Sequence, residues 1–186
     1  MEKDQKLPYI LFSCFSRKTS EGEQFVPEHI FGYVLSGTST AYIGGKKYLF
    51  KAGDFRFFKR NELIKYTKFP PVEGGEYKSI SVSMDQSTLK NLSQEYDLHS
   101  EQLYKGESAL FLKPNILFKN YMDSLTPYLN NENDLSKIIT SLKVKEAVMI
   151  LLETNPVLKN ALFDFSEPGK IDLEAYMNAN YKFKTK

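Results

Sequence analysis

Residues 33–61 read YVLSGTSTAYIGGKKYLFKAGDFRFFKRN, two runs of alternating apolar residues around a glycine turn, followed by a Gly-Asp corner. Tyr33, Val34 and Leu35 suit a pleated, half-buried surface. Gly37 breaks that strand, and Gly44-Gly45 supplies the positive-φ positions that a tight hairpin requires. Lys47, Tyr48, Leu49 and Phe50 then pair back, and Gly53-Asp54 turns the chain again before Phe55, Phe57 and Phe58. The stretch reads as the middle of a small β-barrel.

Outward from it, residues 7–84 carry further strand signals: LPYILFSCF, HIFGYVL, TAYI, KYLF, FRFF, LIKYTKF and YKSISVSM, separated by Gly, Pro, Asn and charged clusters. The period changes after Met84. Asp85 or Ser87 caps a helix in which Leu89, Leu92 and Tyr96 fall at helical spacing. A looser piece, LHSEQLYKGESALFLK, precedes a helix opened by Pro114 at its first position. The longest helical run spans 134–153, capped by Asp134 and stopped by Asn155-Pro156, because proline cannot continue the hydrogen-bond ladder.

That long helix is apolar on two sides. Ile138, Leu142, Lys145, Met149 and Leu152 lie along one stripe, and Val144, Ala147, Val148 and Leu151 along another. Two apolar stripes need two partners. One covers the barrel or the preceding helix, and the other is available for a symmetric dimer contact, unless both sit inside one subunit's core. A short helix, PVLKNALFDF, then leads to a linker at Pro168-Gly169 and to a terminal amphipathic segment, IDLEAYMNANYKF. The expected division is 1–85 barrel, 86–167 helical dimerisation region, and 168–186 linker with the first helix of a further domain.

Composition narrows the function classes. At 186 residues, with 41% hydrophobic and 14% aromatic residues, the chain buries a sizeable core. A formal charge of +2 does not suggest a nucleic-acid binder, for which a basic stripe and a pI above ~9 are the usual marks. The single cysteine, Cys14, cannot form an intramolecular disulfide and reads as a small buried hydrophobe. No segment approaches the ~20 apolar residues of a membrane helix, so no membrane partner is expected, and cytoplasmic residence is.

The order of strands, the YVL-x-G run and the Gly-Asp corner resemble the cupin fold. A cupin-like barrel, helices and a linker leading into IDLEAYMNANYKF together resemble the N-terminal regulatory half of AraC-type transcription regulators. The resemblance implies an α+β chain: a cupin-like antiparallel β-barrel of jelly-roll type followed by an α-helical dimerisation segment. It also implies a homodimer that senses a small-molecule effector or a regulatory protein, and that meets DNA only through a C-terminal half beyond Lys186. Sequence 172–180 resembles the first helix of that half, and Tyr181-Lys182-Phe183 the turn after it.

Metal-dependent cupins hold their metal with histidines and a glutamate. By the resemblance, the glutamate position falls on Ile30, the paired histidines near residues 23–26, and the last histidine on Ile64. Only His29 and His99 are present, too far apart for a metal site without ligand-spaced carboxylates. His29, one residue out of register, points to the opposite face in a strand. The Gly44-Gly45-Lys46-Lys47 turn lacks the P-loop pattern and leads into a strand. No cofactor, metal site or catalytic residue is expected. In FRFFKR, Phe55 and Phe57 face one side and Arg56 and Phe58 the other. What remains is an apolar barrel interior, either packed solid or gripping a small organic ligand. Ile30, Val34, Tyr42, Phe57, Ile64, Tyr66 and Tyr77 are its candidate lining. The expected role is regulatory sensing without enzymatic activity. A metal-free cupin that binds a metabolite or protein and, further off, a cupin-type enzyme are the alternatives.

Overall fold

Strand alternation around residues 33–61 builds two facing sheets in the computed structural model, which describes residues 9–16, 20–128 and 134–166. The strands are β1 (Ile10–Phe15), β2 (Ser20–Val26), β3 (His29–Ser36), β4 (Thr38–Ile43), β5 (Lys46–Lys51), β6 (Phe55–Phe58), β7 (Glu62–Phe69), β8 (Tyr77–Met84) and β9 (Ala109–Leu112). Helix α1 (Gln86–Tyr96) separates β8 from β9; α2 (Ile116–Leu125), α3 (Asp134–Thr154) and α4 (Lys159–Leu162) follow. One sheet runs β1-β8-β3-β6-β9 and the other β2-β7-β4-β5, with every pairing antiparallel. The fold is the expected α+β class.

Two glycine sites fix the hairpins. Gly44 and Gly45 have φ of 56° and 78°, closing β4 onto β5 from the Ile43–Lys46 pair. Gly37, at φ +81°, sits where a Cβ would come within 2.3 Å of the Phe69 carbonyl oxygen. A side chain there meets both backbone strain and a clash.

The sheets enclose one core and support another. Val26, Val34, Ala41, Ile43, Phe50, Phe58, Ile64, Tyr77 and Ala109 meet between them. On the outer face of the five-stranded sheet, Phe31, Phe55, Phe57, Ile80, Val82 and Met84 pack against Leu89, Leu92, Phe118, Met122, Val148 and Leu151 of the helices. Strand β6 is consequently buried on both faces.

Helix starts follow side-chain capping. Asp85 accepts the Thr88 N–H at 2.9 Å to open α1. Asn115 accepts the Phe118 N–H at 2.9 Å to open α2, so Pro114 precedes the cap and is not the first helical residue. Strand β9 falls in the looser piece of the expected 86–167 helical region and pairs with β6. Its four apolar residues, ALFL, are too short a run for periodicity to separate strand from helix.

The two stripes of α3 do not divide as expected. Val144, Ala147, Val148 and Leu151 are buried under the sheet. Met149 and Leu152 also pack, partly buried, against that core. Ile138 and Leu142, at 63% and 60% exposure, face outward, and Lys145 Nζ reaches Glu95 Oε2 at 3.4 Å. The five positions therefore do not share one free face. Cys14 is exposed on edge strand β1, with its thiol donating to Glu76 at 3.3 Å, and is not the buried residue expected. Pro168-Gly169 and the segment 172–183 lie outside the described residues.

Candidate functional site: a cavity inside the barrel

Positions on β3, β4, β6, β7 and β8 surround a cavity of about 240 Å³ between the sheets. Ile30, Ile64 and Tyr66 line it, with Val26, Ala41 and Phe58 extending the apolar wall. Leu11 and Tyr9 stand at the side bounded by the first strand.

The remaining sequence candidates lie elsewhere. Val34 and Tyr77 are fully buried in the core between the sheets but do not line the cavity. Tyr42 is on the outer face of β4, 44% exposed, with Lys47 Nζ 5.5 Å from its ring centroid. Inward positions on that strand belong to Ser39, Ala41 and Ile43. Phe57 points away from the cavity into the core shared with the helices, stacked on His29 at 5.5 Å.

The polar residues of the cavity were missed by the sequence reading. Arg56, 6% exposed, projects from β6 into it and donates from Nη1 to Ser39 Oγ at 2.8 Å. Its guanidinium carbon lies 5.3 Å from the ring centroids of both Phe50 and Phe58. Gly32, its register partner on β3, leaves the room: a Cβ there would stand 2.9 Å from Arg56 Nε. That Nε is buried without a hydrogen-bond partner. Lys68, from β7, donates to Ser13 Oγ at 3.0 Å, and its Nζ lies 5.0 Å and 5.5 Å from the Tyr66 and Tyr77 ring centroids.

These charges shape each other's titration. Burial lowers the Lys68 pKa below the usual lysine range. Burial alone would raise Tyr77, but the Arg56 charge, the nearby Ser79 and Ser39, and the Lys68 charge outweigh it and lower its pKa. The sequence signal was present in FRFF, where an arginine occupies the same face as Phe58, opposite a glycine one strand away.

His29 faces the other way from Ile30, fully buried, accepting the Arg60 backbone N–H at its Nδ1 (3.2 Å). His99 is exposed and 3.8 Å from Asp97. Among the described residues, no three His, Cys, Asp or Glu side chains converge on a metal position.

Among solved structures, ToxT from Vibrio cholerae bound to (E)-4-(8-methylnaphthalen-1-yl)but-3-enoic acid superposes with a TM-score of 0.54 at 9% identity, covering 97% of this chain and 68% of that one. An apo ToxT variant from the same organism gives 0.59 at 8% identity, over 95% and 67%. Unsaturated fatty acid-bound ToxT gives 0.53 at 8% identity, over 100% and 68%. At such identities the likeness is one of fold. No curated protein sequence matches the chain. The family described as the ExsA N-terminal regulatory domain matches residues 29–160, more than half of the chain. The chain thus belongs to the family of ExsA N-terminal regulatory domains, the effector-sensing part of AraC-type regulators.

Proposed function

We propose that this domain senses a small organic molecule inside its barrel and passes the bound state to a DNA-binding half beyond Lys186. The observation that carries the reading is the cavity itself: apolar walls around a few fixed polar groups, the usual make-up of a small-molecule site. ToxT, which shares the fold, holds an organic acid in one of its structures.

Transmission runs through the corner after β6. Phe58 lines the cavity, and two residues later Arg60 donates from Nη2 to the carbonyls of Asp164 (3.0 Å) and Ser166 (2.8 Å), in the last described turn. A ligand that favours one setting of this corner biases the path of the segment that follows. Homodimerisation through the exposed turns of α3 at Ile138 and Leu142 belongs to the same proposal, as does cytoplasmic residence; no helix among the described residues is long and apolar enough to cross a membrane. Reading the gene past the Lys186 codon tests the scheme. Roughly a hundred further codons with two helix-turn-helix units support it. A stop codon there would remove the DNA-binding half and overturn it.

A further inference from the structure

We infer that the barrel cavity is built to take one organic anion, with its apolar body against Ile30, Phe58 and Ile64 and its negatively charged oxygen head between Arg56 and Lys68. This rests on the small-molecule reading above and names the ligand's chemical class.

The cations of the barrel differ from the others in being enclosed without a counter-charge. Outside the barrel, Lys46, Lys78, Lys143, Lys145 and Lys159 each have a glutamate within 3.4 Å, while Lys47, Lys59 and Lys90 lie over aromatic rings near the surface. The two cations in the barrel have none: no carboxylate among the described residues lines the cavity. A buried charge without a counter-charge is costly, and buried charges in folded proteins are ordinarily paired. Arg56 has one hydroxyl partner and two aromatic faces, with Nε–H left over. Its place is prepared by Gly32 on the facing strand, where any side chain would collide with it. Ser83 Oγ, also on the cavity wall, is a second buried polar atom without a partner. The counter-ion that these groups lack is supplied by the ligand.

A neutral apolar molecule would leave both cations unpaired, and a cation would be repelled. A dianion with no apolar body would leave the Ile30, Phe58 and Ile64 wall uncovered. A carboxylate or a phosphate ester on a short hydrocarbon meets both requirements, and the head group distinguishes them.

The test is calorimetric titration of the full chain with octanoate, octyl phosphate and 1-octanol. Octanoate or octyl phosphate is expected to bind at least about tenfold more tightly than 1-octanol, the scale of a charge-assisted hydrogen bond. The tighter of the two identifies the head group. In Arg56→Met the preference collapses while 1-octanol binding stays, and the melting temperature of the free domain does not fall. Lys68→Met, farther from the centre of the core, reduces the preference without abolishing it. Equal binding of 1-octanol and the anions, or an unchanged preference in both variants, overturns the anion assignment and leaves the small-molecule reading standing. Failure of all three compounds to bind the wild-type chain overturns both.

Discussion

The guanidinium of Arg60 holds the Asp164 carbonyl at 3.0 Å, and through it the last described turn of the chain is fastened to the corner between β6 and β7. That corner is itself pinned: Lys59 N–H donates to Ser108, Arg60 N–H to His29, and Asn61 N–H to Val26. Arg60→Gln is expected to lower stability by about 1.5–3 kcal/mol, the scale of hydrogen bonds from a charged group. It should also speed proteolytic cleavage around residues 164–166. Urea denaturation and timed proteolysis measure the two effects; unchanged cleavage would show that the clasp does not hold the segment.

His29 makes stability depend on pH. Burial first, then the Arg60 and Lys59 charges, draw its pKa from 6.5 down to about 3. Below pH ~6.5 the unfolded chain takes up a proton that the folded chain refuses, so stability is complete above that pH. It falls by up to about 1.4 kcal/mol per unit as the pH drops toward ~3. Thermal melts from pH 8 to pH 4 should show a steeper acid loss for wild type than for His29→Gln. Parallel curves would mean that His29 does not carry the dependence.

Gly37→Ala, at a buried bend between β3 and β4, should be among the most damaging glycine substitutions. Its φ of +81° costs about 1–3 kcal/mol for a residue with a side chain, before the 2.3 Å approach to the Phe69 carbonyl is counted. The urea midpoint is the readout, and Gly44→Ala, where nothing lies within 4 Å of the new Cβ, is the control for strain alone.

The proposed dimer surface is tested at Leu142. Leu142→Glu places a charge on an exposed position of α3 and is expected to give monomers of unchanged melting temperature. Met149→Glu, by contrast, introduces a charge next to the core under the five-stranded sheet and is expected to destabilise the subunit. Light scattering that finds the same mass for wild type and Leu142→Glu would remove this face from the interface.

Most of the barrel was legible because its turns and its alternation carry local signals. The Gly44-Gly45 hairpin, the Asp85 cap, and the inward setting of Ile30, Ile64 and Tyr66 all follow from two- to four-residue patterns. What was illegible depended on knowing which layer covers which face. On β6 the sequence separates Phe55 and Phe57 from Arg56 and Phe58, yet both sets are buried, so polarity cannot say which set faces the cavity. For that reason Phe57 stands among the candidate lining although it faces the helices, and Arg56, on the face of Phe58, is absent from it. Tyr42 is the converse case: an aromatic on an outer strand face, where Lys47 covers its ring. Strand β9 was hidden because its partner, β6, lies fifty residues earlier.

Backbone amide NMR of the labelled chain, titrated with octanoate, tests sensing by the barrel most directly. Shifts are expected at cavity-wall residues of β3, β6 and β7, including Ile30, Arg56, Ile64 and Lys68, and in the clasped segment at Asp164 and Ser166. Shifts confined to the outer face of the four-stranded sheet, around Tyr42 and Leu49, or a silent cavity wall at saturating ligand, would contradict it.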